Sequence, residues 1–199
     1  LYNAITVSAW IKTQKNGSGR QTIISNNQPN SIASQKGWQL AIDQAWDGSG
    51  YTKSGFFFYN STGAAYTQIA QTSSQVLTDN KWHHVVAVWD GTTNTNAAKI
   101  FVDGLLAGQT TSSFAGPINR PDAVLEPRIG IQAYGTSGGS NVYGGNSGED
   151  GFISNLQIWN TSLTYGTVSS IGDTASEQIA QLYNGGVPLN SAIEANNLI

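Results

Sequence analysis

Residues 5–12 read Ile5-Thr6-Val7-Ser8-Ala9-Trp10-Ile11-Lys12. Successive side chains of an extended chain point to opposite faces, so Ile5, Val7, Ala9 and Ile11 share one side and Thr6, Ser8, Trp10 and Lys12 the other. A period of two held over this length predicts a half-buried strand across Ala4–Lys12. Carried outward, the same reading predicts strands at Gln21–Ser25, Gly37–Asp43, Ser54–Asn60, Ala65–Ala70, Trp82–Asp90, Ala98–Val102, Leu105–Gln109, Arg128–Tyr134 and Gly151–Asn160. Asp103-Gly104 stands between Ile100-Phe101-Val102 and Leu105-Leu106-Ala107, and a two-residue Asp-Gly link suits the primed turns that match strand twist. Strands joined by turns without helical crossovers imply antiparallel sheets and exclude a parallel α/β fold.

One helix is expected near the end of the chain. Thr174-Ala175-Ser176-Glu177 has the spacing of a capping box, and Ile179, Leu182 and Tyr183 then fall on one face before Gly185. No repeat of fixed period and no Pro-rich linker divides the 199 residues, so a single domain over 1–199 is expected, with 187–199 as a tail that leads into any further segment.

Composition narrows the function classes. Only 11% of residues are charged, while Gly, Asn, Ser and Thr crowd between the apolar runs, which fits short strands with many turns. The 9 basic and 12 acidic residues give a net charge of −3, and the basic ones are scattered, so the positive stripe that nucleic acid requires is missing. No apolar run approaches the roughly 18 residues that would span a bilayer. With no cysteine there is no disulfide framework and no thiolate metal site. With no methionine, the chain is expected to be processed or to be part of something longer.

Several segments, taken in order, resemble the laminin-G-like, concanavalin A-like jelly-roll family. They are Ile5–Lys12, then Lys81-Trp82-His83-His84-Val85-Val86-Ala87-Val88-Trp89-Asp90-Gly91, then Lys99–Gly104, then Gly151-Phe152-Ile153-Ser154-Asn155-Leu156-Gln157-Ile158-Trp159-Asn160 followed by Glu177–Gly186. The resemblance runs from about Ile5 to Gly186 and implies an all-β, two-sheet antiparallel jelly-roll sandwich with one short C-terminal helix. It also implies use in recognition: such domains bind carbohydrates, proteins or lipids, often through a calcium ion on the rim. Three departures stand out. Ser154-Asn155 replace an acidic residue of the closing strand, Tyr165–Asp173 are inserted before the helix, and only Leu1-Tyr2-Asn3 precede the first strand where the family usually has another.

The candidate chemistry points away from catalysis. His83 and His84 are the only histidines, and as strand neighbours they point to opposite faces and cannot chelate one metal together. Neither has an evident nucleophile partner, and there is no Gly-x-Ser-x-Gly elbow. No strand carries acidic residues two or four apart, as a glycosidase pair on a sandwich needs. Asp90 and Asp103 read as turn residues, and Asp173 and Glu177 as stabilisers of the helix start. Asn-x-Ser/Thr triplets at Asn16, Asn60 and Asn160 are expected by chance in so Asn- and Ser-rich a chain.

What remains is a rim of polar loops, 44–53 and 135–150. Trp46, Tyr51 and Tyr143 could stack on sugar rings, with Asn146 taking hydroxyls. Asp47, Glu149 and Asp150, amid glycines that free backbone carbonyls, are the candidate calcium ligands. The expected function is non-catalytic: a carbohydrate-binding or adhesive lectin-like module of an extracellular or surface protein, its partner a glycan or a surface protein. The alternative is a structural domain of a virion or cell-surface layer that meets neighbouring chains through an open sheet edge.

Overall fold

Among the described residues ten strands form where the period-two runs lie: β1 (Ile5–Thr13), β2 (Gln21–Gln28), β3 (Lys36–Asp43), β4 (Lys53–Tyr59), β5 (Thr67–Gln71), β6 (Trp82–Trp89), β7 (Ala98–Val102), β8 (Leu105–Gln109), β9 (Arg128–Ile129) and β10 (Gly151–Trp159). A helix, α1 (Glu177–Tyr183), follows. The computed structural model describes residues 3–13, 21–28, 36–43, 53–59, 67–71, 77–111, 127–130 and 151–188. The strands form two five-stranded sheets, ordered β10-β1-β6-β7-β8 and β5-β4-β3-β2-β9, and every pairing is antiparallel. The Asp103-Gly104 turn between β7 and β8 has both residues in the left-handed region, φ 50° and 78°, as a primed turn requires.

The apolar side of β1 builds the core. Ile5, Val7, Ala9 and Ile11 pack with Val85, Ala87 and Trp89 of β6, Ile100 and Val102 of β7, and Trp38, Leu40 and Ile42 of β3. Each fully buried Ile, Leu or Val of this set is worth about 1.5–3 kcal/mol in transfer from water.

The other side of β1 is buried as well, so the expectation of a half-buried strand is corrected. Thr6, Ser8 and Trp10 are each no more than 3% exposed. A second apolar cluster explains this: Val86, Val88, Phe101 and Leu106 on the outer face of the β1 sheet are covered by Trp159, Leu163, Ala175, Ile179 and Leu182. Thr6 ties the cover down. Its hydroxyl donates to Thr161 O at 2.8 Å and accepts the Leu163 amide at 3.0 Å.

The inserted segment before α1 has a structural task. Leu106 N donates to Asp173 O at 2.8 Å, Gly172 N to Leu106 O at 2.7 Å and Ala175 N to Gly104 O at 2.7 Å, and Thr174 bridges Leu105. These bonds cover the first residues of the β8 edge, Leu105 and Leu106. They also displace the expected capping box. The N-cap is Ser176, which makes no side-chain cap bond, and Glu177 sits at φ 56° rather than reaching back to Thr174. Asp173 likewise does not serve the helix, because its carboxylate accepts the Ser169 and Ser170 amides, each at 2.8 Å. The helix ends at Asn184, φ 49°, one residue before Gly185.

At the opposite edge, Ser154-Asn155 mark a bulge. Ser8 pairs Gln157 and Trp10 pairs Ser154, so Asn155 and Leu156 together face Ala9. Asn155 takes φ 48°, a conformation Asn tolerates, and accepts a 2.8 Å bond from Gln157 Nε2. Of the expected strand Arg128–Tyr134, the pairing to β2 covers Arg128 and Ile129, and 131–134 lie outside the described residues.

Candidate binding rim

The strand ends bracketing the two candidate loops meet at one end of the sandwich. Asp43 pairs Lys53 across the loop 44–52. Gly130 N donates to Ile23 O at 2.9 Å, so the chain enters 131–150 beside the start of β2. It leaves that segment at Gly151, which pairs Thr13 at the end of β1. The connection 14–20 joins Thr13 to Gln21 with only seven residues, a length usual for a link between strand ends on one side of a sandwich. Thr13, Gln21, Asp43, Lys53, Gly130 and Gly151 therefore share a rim. The residues expected to bind ligand or metal there, Trp46, Asp47, Tyr51, Tyr143, Asn146, Glu149 and Asp150, lie outside the described residues.

A polar cluster occupies the described part of this rim. Asn80 N donates to Thr13 O at 2.9 Å and fastens the segment before β6 to the end of β1. His83 then stands between two carboxylates, with Nδ1 2.7 Å from Asp103 Oδ2 and Nε2 3.0 Å from Asp79 Oδ1. Both ring nitrogens can donate only when the ring is protonated. The Asp103 hydrogen bond, helped by Asp79 and opposed by burial, raises the His83 pKa. The His83 bond, with Lys81 assisting, lowers that of Asp79 to about 2. Asp103 is thus more than a turn residue: its other oxygen accepts the His84 amide at 2.8 Å. Asp79 and Asp103 stand four residues before and twenty after His83, a spacing that belongs to no sequence motif.

His84 points the other way, as expected of a strand neighbour. A hydroxyl partner missed in the sequence reading is present, since Ser8 Oγ lies 2.8 Å from His84 Nε2. Both residues are 1% exposed, no carboxylate meets Nδ1, and the ring stacks on Trp10 at 5.1 Å and Tyr183 at 6.0 Å. Desolvation lowers its pKa to about 4. The pair is sealed from solvent.

Among the described residues no group of three His, Cys, Asp or Glu side chains converges to hold a metal ion. A shallow groove of about 380 Å³ lies away from the rim, lined by Ser162–Thr167 and Glu177. At the β10 edge Trp82 and Phe152 are 41% and 58% exposed, with ring centroids 6.3 Å apart.

Comparison with known proteins agrees with this architecture. A laminin-G-type family model, described as the concanavalin A-like lectin/glucanases superfamily, matches residues 2–169. No curated protein sequence matches. Among solved structures, the receptor-binding domain of botulinum neurotoxin type G is 14% identical with a TM-score of 0.50, over 81% of this chain and 36% of that one. Domains LG4-5 of the mouse laminin alpha1 chain are 14% identical with a TM-score of 0.50, over 81% of this chain and 37% of that one. A heptameric SAP-like pentraxin from Limulus polyphemus is 17% identical with a TM-score of 0.49, over 82% of this chain and 66% of that one. The chain spans little more than a third of the first two structures. At these identities the likeness concerns the fold alone.

Proposed function

Because this chain belongs to the concanavalin A-like lectin/glucanase superfamily, we propose that it is a non-catalytic recognition domain that binds carbohydrate at the rim where loops 44–52 and 131–150 begin and end. The observation that carries this reading is the convergence of the bracketing strand ends, Asp43/Lys53 and Gly130/Gly151, at one end of the sandwich. Loops rooted on a rigid scaffold are where binding residues concentrate, and these two carry Trp46, Tyr51, Tyr143 and Asn146. Calcium, held by Asp47, Glu149 and Asp150 with backbone carbonyls, is the candidate aid, and it would supply a hard cation for sugar hydroxyls. The setting we propose is extracellular or surface-exposed, a virion surface included.

A glycan array probed with and without calcium tests the proposal. Binding that Trp46→Ala or Tyr143→Ala abolishes is the expected result, and a uniformly blank array overturns it. Calorimetry of metal-stripped protein titrated with calcium tests the cation separately, where heat no greater than dilution removes it. A second reading, contact with neighbouring chains in an assembly, is favoured by the exposed apolar side chains of β10, Phe152 and Ile158.

A further inference from the structure

The cover on the outer face of the β1 sheet stops one row short of the rim. Tyr183, at the end of α1, stacks on Trp10 and His84 with ring centroids 6.1 and 6.0 Å away, and that row is buried. The next row, beside Thr13 and Gly151, is Phe152, Lys12 and Trp82, because Lys12 pairs Phe152 on β10 and Trp82 on β6. Residues directly opposed on antiparallel strands share a face. Here the rings are open, Phe152 at 58% and Trp82 at 41% exposure. Two strand spacings, roughly 10 Å, separate β10 from β6, so centroids only 6.3 Å apart mean that the rings lean together across Lys12. Lys12 is half-buried, and among the described residues it makes no hydrogen bond or ion pair. Lys81, by contrast, is held by Asp79 at 3.1 Å, and Asp79 and Asp103 are both engaged by His83.

We infer that Phe152, Lys12 and Trp82 form a subsite for an acidic sugar, whose carboxylate or sulfate meets the Lys12 ammonium while its C–H face stacks on one of the rings. The inference rests on the carbohydrate reading above and names the ligand class, since this ledge adjoins the rim at Thr13 and Gly151. Rings inclined at 51° cannot both lie flat on one sugar face, so one takes the face and the other the edge. Size argues against a protein partner. The patch is one row deep and two rings wide, far from the roughly 800 Å² a side that a stable protein contact buries, whereas a sugar needs only one or two aromatic faces and a few placed polar groups. Charge selects the acid. The ammonium offers donors and a positive charge that no carboxylate among the described residues answers, and an acidic sugar answers both. One exposed ion pair adds about fivefold in affinity, on a dissociation constant in the millimolar range (order of magnitude).

NMR of the full chain reads the ledge directly through the Trp82 indole N–H, assigned with Trp82→Phe. Trigalacturonic acid and a heparin tetrasaccharide serve as carboxylate and sulfate sources, and maltotriose as the neutral control. At least one acidic probe is expected to shift the indole with about fivefold higher affinity than maltotriose. Lys12→Gln, with an unchanged circular dichroism spectrum, should bring that probe down to the affinity of maltotriose, and Phe152→Ala should weaken it about tenfold. An indole unmoved by both acidic probes up to about 10 mM overturns the inference, as does equal affinity for maltotriose or a preference that survives Lys12→Gln. The loops are tested separately. If array binding vanishes with Trp46→Ala or Tyr143→Ala but not with Phe152→Ala or Lys12→Gln, the loop reading stands and the ledge fails; the converse pattern keeps the ledge and removes the loops. Vesicles of phosphatidylserine that shift the indole where neither acidic probe does would make the row a membrane contact and overturn the inference.

Discussion

Acidification should weaken this fold through one buried ring. His84 is held neutral because burial lowers its pKa from 6.5 to about 4. The unfolded chain binds a proton on this histidine below 6.5, while the folded chain refuses it until about 4. Stability contributed by the neutral ring is therefore fully present above 6.5 and falls as pH drops through the interval. At about 1.4 kcal/mol per pH unit the interval from 6.5 to about 4 sums to about 3 kcal/mol, a sizeable share of a domain's usual stability of about 5–15 kcal/mol. The adjacent groups act in other windows. His83, with its pKa raised, stabilises the fold below 6.5 and loses that contribution as pH rises through its folded value. Asp79, lowered from 3.8 to about 2, contributes above 3.8 and loses its effect as pH falls toward 2. Urea unfolding at half-unit steps of pH, on wild type and His84→Gln, separates them. The wild type should lose stability between 6.5 and 4, and the variant, less stable at pH 7 but without the titrating ring, should show a nearly flat profile there. A flat wild-type profile, or an imidazole that titrates near 6.5 by NMR, would refute the assignment of desolvation as the ruling effect.

Two glycine substitutions separate steric from conformational cost. Gly91, φ +88°, has Asn3 O only 1.6 Å from the place of an added Cβ, whereas Gly130, φ +72°, has nothing within 4 Å among the described residues. Thermal unfolding should show Gly91→Ala costing roughly 2 kcal/mol or more beyond the roughly 1 kcal/mol of Gly130→Ala, and equal costs would deny the close approach. Trp10→Ala removes a ring stacked on both His84 and Tyr183 and should destabilise by about 3–5 kcal/mol in urea unfolding. A loss below about 1 kcal/mol would mean the stack packs loosely. Asp103→Asn keeps the shape of the turn but removes the charge facing His83, so the His83 pKa should fall in an NMR titration and about 1–3 kcal/mol of stability should go with it at pH 6. An unmoved His83 titration would show that Asp79 alone sets it.

Ten strands and a helix were legible because each rests on local order: a period of two, an Asp-Gly link, a short amphipathic run. What local order could not reveal was the cover on the outer face. Trp10, Ser8 and Thr6 read as the polar side of a strand, yet Leu163, Ile179 and Leu182, more than 150 residues later, bury that side. The capping-box spacing at Thr174–Glu177 failed for a related reason. Thr174 is drawn into a bridge with Leu105 and Ala175 into a bond with Gly104 O, so closing a sheet edge outweighed a cap worth about 1 kcal/mol.

The same distinction separates the parts of the candidate surface. Loop residues suited to stacking or metal binding can be picked out by type, but only the pairings of Asp43 with Lys53 and Gly151 with Thr13 bring their roots together. His83 could not be read from spacing, because its acids come from a preceding loop and a hairpin turn, and only the folded register of β6 against β7 sets Asp103 beside it.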